Sequence, residues 1–238
     1  MKDTVNTVHT ARTMMFSEIS ALINHRIFDE SSILEMNLLK KQSKSNMEFT
    51  LKKLTKLYDF EEQNQLWKVF LFLWEMAEET DRRIMVLLYA VFKDDLLRVS
   101  IPVIQNTKAG KKVMIDKILE LIHGQFPGKY APTTALSAAQ NIASSWKQAG
   151  YIEGKVRNIR VPVKPEFPAV VFGLFLGKWD GLTGDELLKS QWIKTLELED
   201  SRLKELVSTA AIHDIIHFQQ AGDVTVIQFD KLLNQSEA

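Results

Sequence analysis

The stretch KKVMIDKILELIHGQFPGKYAPTTALSAAQNIASSWKQAGYIEGKVRNIRVPV, Lys111 to Val163, decides the fold. Ile115, Ile118, Leu119 and Ile122 recur at helical spacing. After a turn containing Pro127, Gly128 and Pro132, a second stripe of Ala139, Ile142, Ala143 and Trp146 follows on the helix Thr133 to Gln148. The β-branched residues Ile152, Val156, Ile159 and Val161 then surround Gly154 and Asn158, the pattern of a hairpin. Helix, turn, helix and hairpin in this order predict a winged helix-turn-helix. That fold places its second helix in the major groove of DNA and its hairpin on the backbone. The same fold also serves as a protein-docking module with a solvated polar face, and the order of elements fits both uses.

Charge distinguishes this stretch from the rest of the chain. The protein has 30 Lys+Arg and 30 Asp+Glu, a net charge of zero. Val91 to Pro165 nevertheless holds 12 Lys+Arg against 5 Asp+Glu, a net of +7, whereas Glu166 to Ala238 holds 6 against 12, a net of −6. Segregation of this kind points to different partners for different segments, or to mutual attraction of oppositely charged domains. The polar face of the second helix presents Thr134, Ser137, Asn141, Ser144 and Gln148, flanked by Gln140 and Ser145, with no acid among them. Asn and Gln can read adenine edges, and Ser and Thr reach bases or phosphates. Lys155, Arg157 and Arg160 on the hairpin, with Lys111, Lys112 and Lys129 nearby, complete a candidate set for double-stranded DNA.

Composition bounds the alternatives. A chain of 238 residues holds one large domain or two to three small ones. With no cysteine, disulfides and thiolate metal sites are excluded, which fits a reducing cytoplasm. The polar N-terminus MKDTVNTVHTARTMMF lacks the apolar core of a signal peptide. The longest apolar runs, Gln65 to Ala77 and Arg83 to Phe92, fall short of the ~20 residues of a membrane span.

Helical spacing also predicts helices over Val8 to Asn24, with Met14, Ile19 and Leu22 buried, and over a short segment capped by Ser31 or Ser32. A further helix starts near Ser45 and carries Met47, Leu51, Leu54 and Leu57; two more cover Glu61 to Glu78 and Thr80 to Phe92. A second hairpin is expected over Ile215 to Phe229, turning at Ala221-Gly222-Asp223. The expected fold is therefore mainly α. A helical N-terminal domain (1–95) precedes a basic winged helix-turn-helix (96–165) and an acidic winged-helix-like unit (166–238), and the prolines of VPVKPEFP mark the second boundary.

Taken along its length, the chain resembles the BrxA family of bacteriophage exclusion (BREX) systems. The resemblance rests on FSEISALI (Phe16 to Ile23), on ILEMNLLKKQSKSNMEFTLKKLTKL with its Asn-Leu-Leu element and basic helix, and on LLKSQWIKTLELEDSRLKELVSTAAIHDIIHFQQAGDVTVI, which carries Ser190, Trp192 and a hairpin containing Ala-Gly. It implies an α-helical, DNA-binding accessory protein of an anti-phage system whose partners are double-stranded DNA and other subunits of a defence complex. No catalytic residue comes with it.

Enzyme signatures are lacking. His213 and His217 are four apart, but no Glu follows His213 and the pair straddles a helix-to-strand change. AGKK at Ala109 to Lys112 lacks the glycine spacing and the final Ser/Thr of a phosphate-binding loop, and neither GxGxxG nor GxSxG occurs. The acidic pairs Asp94-Asp95 and Glu78-Glu79 read as solvated helix positions or local charge partners. Trp67, Trp74 and Trp146 fall on apolar faces and read as core; Trp179 and Trp192 sit in polar surroundings and read first as packing at the domain boundary, the alternative being that one of them anchors a partner. The expectation is a non-enzymatic, cytoplasmic DNA binder without metal, cofactor, small-molecule substrate or membrane contact. The alternative is a scaffold whose winged units dock partner subunits without touching nucleic acid.

Overall fold

Helical spacing in the first half of the sequence becomes a succession of helices. The computed structural model describes residues 5–61, 63–222 and 224–237. Its first elements are α1 (Phe16–His25), α2 (Glu30–Glu35), α3 (Lys44–Tyr58), α4 (Gln65–Met76), α5 (Glu79–Lys93), α6 (Asp95–Arg98) and α7 (Ile101–Gln105). Then come α8 (Ile115–Gln125), α9 (Pro132–Gln148), β1 (Ile152–Glu153) and β2 (Ile159–Arg160). The last third holds α10 (Phe167–Trp179), α11 (Asp185–Leu188), α12 (Gln191–Thr195), α13 (Asp200–Ile212), β3 (His217–Ala221), β4 (Val224–Gln228) and α14 (Asp230–Glu237). The protein is mainly helical, with two small antiparallel hairpins, β1–β2 and β3–β4. No helix of the described residues is long and apolar enough to cross a membrane.

Capping side chains set several starts. Ser43 and Asn64 accept the free N–H groups of α3 and α4. At α2 the cap is Asp29, which accepts from Ser32 N at 2.9 Å and from the Ser31 hydroxyl at 2.8 Å. The two serines expected as caps lie inside the first turn and feed the true one. The first helix also begins later than its apolar spacing suggests, at Phe16 and not Val8. Residues 8–11 form a turn, and Met15 takes a left-handed backbone conformation (φ 55) just before the helix.

The chain divides into two compact units, each built from two segments: Met1–Glu61 with Tyr89–Val161, and Glu62–Leu88 with Pro162–Ala238. This differs from the three consecutive domains read from the sequence. Residues 62–88 join the C-terminal acidic segment, and the N-terminal 61 residues join the basic one. The boundary at Val161/Pro162 falls close to the proline-marked one.

In the first unit, Met14, Ile19, Leu22, Leu51, Leu54 and Leu57 are all buried. Each contributes about 1.5–3 kcal/mol of transfer free energy. The Tyr58 ring meets Tyr89 edge-on at 5.5 Å, and its hydroxyl donates to Met14 O. α8 packs on α9 through Ile118, Ile122, Ala139, Ile142, Ala143 and Trp146, which are all buried.

In the second unit, α10 is apolar all round and buried from Pro168 to Gly177. It packs on α4, α12 and α13, with Phe172 edge-on to Phe70 at 5.4 Å. Gly173 and Gly177 permit the approach: a Cβ at either would stand 3.3 Å from Ile193 Cδ1 or 3.1 Å from Leu187 Cδ2. Asp81 of α5 caps this helix, accepting from Glu166 N at 2.9 Å and Ala169 N at 3.3 Å. β3 pairs with β4 in register from His217↔Gln228 to Ala221↔Val224. Trp192 is buried and donates to Asp180 Oδ2 at 2.7 Å, while Trp179 is half exposed.

Candidate nucleic-acid interface

The basic hairpin is short but held on two sides. Ile152 pairs with Arg160 and Glu153 with Ile159. On the other edge Lys112 bridges Ile159 antiparallel, with Gly110 N donating to Arg160 O, Arg160 N to Lys111 O and Val113 N to Asn158 O, each at 2.8 Å. Residues 158–160 are therefore the middle strand of three, and the segment before α8 supplies the third. The turn is made by Gly154 (φ 80) and Asn158 (φ 50). Lys147 of α9 fastens it, donating to Asn158 Oδ1 at 2.9 Å and to Lys155 O at 3.3 Å.

This arrangement sorts the twelve cations between Val91 and Pro165. Lys93 pairs with Asp59, Lys117 with Glu120, and Arg98 with Asp95 and two backbone carbonyls. Lys108, Lys111, Lys112, Lys155 and Arg157 are exposed on or beside the three-stranded piece, with Glu153 the acid among them. Lys129 is exposed in the α8–α9 loop. Lys108 was not singled out by the sequence; its place three residues before Lys111 was the available signal.

Arg160 corrects the expectation of three exposed cations on the wing. It is only 2% exposed, and its guanidinium donates to Ile104 O (3.3 Å), Tyr151 O (3.1 Å) and Val161 O while lying over the Tyr151 ring. It knits the base of the hairpin and presents no charge to a ligand.

The polar face of α9 divides in the same way. Ser137 and Gln140 are exposed; Thr134 and Ser144 are half-buried. Asn141, Ser145 and Gln148, expected on the open face, instead bind the segment that precedes α1. Asn141 Nδ2 donates to His9 O at 2.9 Å. Ser145 Oγ accepts from Met14 N at 2.8 Å. Gln148 accepts from Phe16 N at 3.0 Å and donates to Thr13 Oγ1 at 2.9 Å. The open part of α9 is thus its N-terminal half, Thr133 to Gln140, begun by Pro132 at the first helical position, and Leu136 stands 42% exposed there.

Beneath this face lies a buried cluster. His9 Nε2 is 2.9 Å from Ser145 Oγ, and His9 Nδ1 is 2.8 Å from Asp94 Oδ2. Asp94 also accepts from Val8 N, the Thr7 hydroxyl and Leu97 N. It is fully buried, which corrects the first of its two readings, a solvated helix position, and leaves the second, a local partner. Burial pushes its carboxyl up, but His9 and the backbone donors outweigh that and hold it below the ordinary aspartate value. Serine, histidine and aspartate connect here as in a nucleophile–base–carboxylate relay. All three side chains are sealed from solvent, and the serine oxygen is already engaged by Met14 N and Asn141 O. In this position the cluster ties the N-terminal segment to α6 and α9.

His213, weighed as a metal ligand, is stacked on Phe167 with ring centroids 5.2 Å apart. Among the described residues no group of three or more His, Asp or Glu is placed to hold a metal ion. No family model matches the chain, and none of the curated proteins or solved structures compared with it is significantly similar.

Proposed function

We propose that the protein is a non-enzymatic, double-stranded DNA-binding accessory protein of a BREX-type anti-phage system, acting in the cytoplasm beside other subunits of a defence complex. In this reading Lys111 to Val161 is a winged helix-turn-helix, with α9 as its recognition helix and residues 154–158 as the tip of its wing. The observation that carries the proposal is the exposed basic group Lys108, Lys111, Lys112, Lys155 and Arg157 on one small sheet, next to an open helix half that contains no acid. Such a surface suits phosphates on both sides of a groove, with Thr134, Ser137 and Gln140 left to meet base edges. The resemblance to the BrxA family supports the biological setting.

A second reading has one observation in its favour. Leu136 and Met114 are more than two-fifths exposed, Leu136 on the open half of α9 and Met114 immediately before α8, as on a surface that docks protein. Titration of a labelled duplex with the full-length protein, at low and moderate salt, separates the two. The DNA reading expects saturable binding that weakens steeply with salt. Absence of binding at low salt by folded protein would leave the docking reading.

A further inference from the structure

A second basic site lies away from the wing, on α3. A cleft of about 710 Å3 opens between this helix and the segment around α2. Its size is within the range of small-molecule sites. The floor is apolar: Leu51 is buried, and the rings of Phe28 and Phe60 pack against each other at 5.9 Å. One wall carries Lys52, Lys53 and Lys56, and Glu30 and Glu48 also line it.

The three lysines of the wall crowd one another. Spacing of three and four residues puts Lys52 and Lys53 on the same stretch of helix surface as Lys56, where like charges repel. Among the described residues none of the three is paired with a carboxylate; Lys56 Nζ donates to Thr7 O at 3.1 Å, and Lys53 Nζ stands 5.2 Å from the centre of the Phe49 ring, which Arg12 also covers at 4.7 Å. Burial, together with Lys56, Lys52 and Arg12, pushes the Lys53 ammonium below its ordinary pKa. A bound anion would offset the mutual repulsion of these cations.

We propose that this cleft binds a nucleoside phosphate, with its phosphates on Lys52, Lys53 and Lys56 and its base against Phe28 and Phe60. Three clustered ammonium groups suit a multiply charged phosphate better than a single carboxylate. The tilted phenylalanine pair gives a flat body an apolar surface to lie on. Glu30 and Glu48 supply acceptors that a purely phosphate-binding site does not need and that an amino-bearing base can use; among the described residues Glu48 is engaged only by a long contact to Lys44, at 3.9 Å. The site is separate from the wing, and the proposal stands whether or not the wing binds DNA.

The test is calorimetric titration of the full-length protein with ATP, adenosine and tripolyphosphate in turn. ATP is expected to bind at least tenfold more tightly than either fragment. The variant carrying Lys52→Gln, Lys53→Gln and Lys56→Gln, all on the helix surface, is expected to lose at least tenfold in ATP affinity while its circular dichroism is unchanged. Phe60→Leu keeps an apolar floor and is expected to weaken ATP but not tripolyphosphate. Lys155→Ala with Arg157→Ala is expected to leave ATP affinity unaltered. The proposal is overturned by any of three results: no heat with ATP, equal affinity for ATP and tripolyphosphate, or loss of ATP binding in the wing variant but not in the α3 variant.

Discussion

The imidazole of His9 lies 2.9 Å from the hydroxyl of Ser145, 136 residues further along the chain, and both are sealed from solvent. Through this contact the segment before α1 becomes part of the support of α9. With Asn141 and Gln148 held by the same segment, α9 is anchored along its C-terminal half and free along its N-terminal half. A helix gripped at one end and open at the other can present a few side chains at a fixed angle to a groove.

Ser145→Ala leaves Met14 N and one imidazole nitrogen without their partner, and is expected to cost about 1–3 kcal/mol in urea unfolding. His9→Ala removes the companion of a buried carboxylate and should cost about 2–4 kcal/mol. Because the two side chains touch, the double variant should cost less than the sum of the single ones, with a coupling of roughly 0.5–3 kcal/mol. Strict additivity would show that the contact carries no energy.

Acid should act on this cluster with a definite sign. Asp94 is held below the ordinary aspartate value of 3.8, against the opposing effect of burial, by His9 and by the N–H groups of Val8 and Leu97. A carboxyl depressed in the folded state stabilises above its unfolded pKa of about 3.9, and that contribution disappears as pH falls through the folded value. Asp94→Asn is therefore expected to lower stability at neutral pH and to flatten the fall in stability below about pH 4. The measurement is a series of urea midpoints for both proteins; parallel curves down to the lowest pH would contradict it.

Asp81 behaves in the opposite sense. Burial raises its carboxyl above the ordinary value, and the N–H groups of Glu166 and Ala169 offset this only in part. It is retained at the start of α10, where a helix buried on all sides has little water to satisfy its first N–H groups. Asp81→Ala is expected to cost about 0.5–2 kcal/mol. It should also speed hydrogen exchange of the Glu166 and Ala169 amides ahead of the remainder of α10. Unchanged exchange at those two amides would remove Asp81 from the capping role.

How much of this was legible in sequence depended on whether a residue's environment is local. α3 could be read from Met47, Leu51, Leu54 and Leu57, and the second hairpin from its Ala-Gly turn, because period and turn chemistry are properties of neighbouring residues. α10 has no amphipathic period to find, since every face of it is covered. Asn141, Ser145 and Gln148 carry the same polar spacing that a groove-reading helix would show, and no local signal tells a face that meets solvent from one that meets another polar segment. Arg160 misled for a related reason. Strand alternation gives it one side of a two-residue strand, but whether that side faces water depends on Ile104, 56 residues away. The same limit hid the union of residues 62–88 with 162–238, which rests on contacts such as Phe70 with Phe172.

Arg157 and Arg160, three residues apart, should separate binding from stability. Arg157 is exposed in the turn between β1 and β2, so Arg157→Ala is expected to change stability by no more than about 0.5 kcal/mol. If it meets a phosphate, its loss weakens duplex binding at low salt and reduces the slope of log affinity against log salt by roughly 0.9. Lys155→Ala should act alike, and the pair together should lower the slope by roughly twice that amount. Arg160→Ala has the reverse profile. It strips donors from the carbonyls of Ile104, Tyr151 and Val161 and removes a guanidinium packed over Tyr151, an expected loss of about 2–4 kcal/mol. At a temperature where the variant remains folded, its salt slope should match that of the unaltered protein, because no phosphate contact has gone. Thermal unfolding and fluorescence anisotropy with one labelled duplex, run on the same four variants, read both quantities. A folded Arg160→Ala protein with a reduced slope, or an Arg157→Ala protein with an unchanged one, would show that the wing does not meet DNA through the residues its exposure selects.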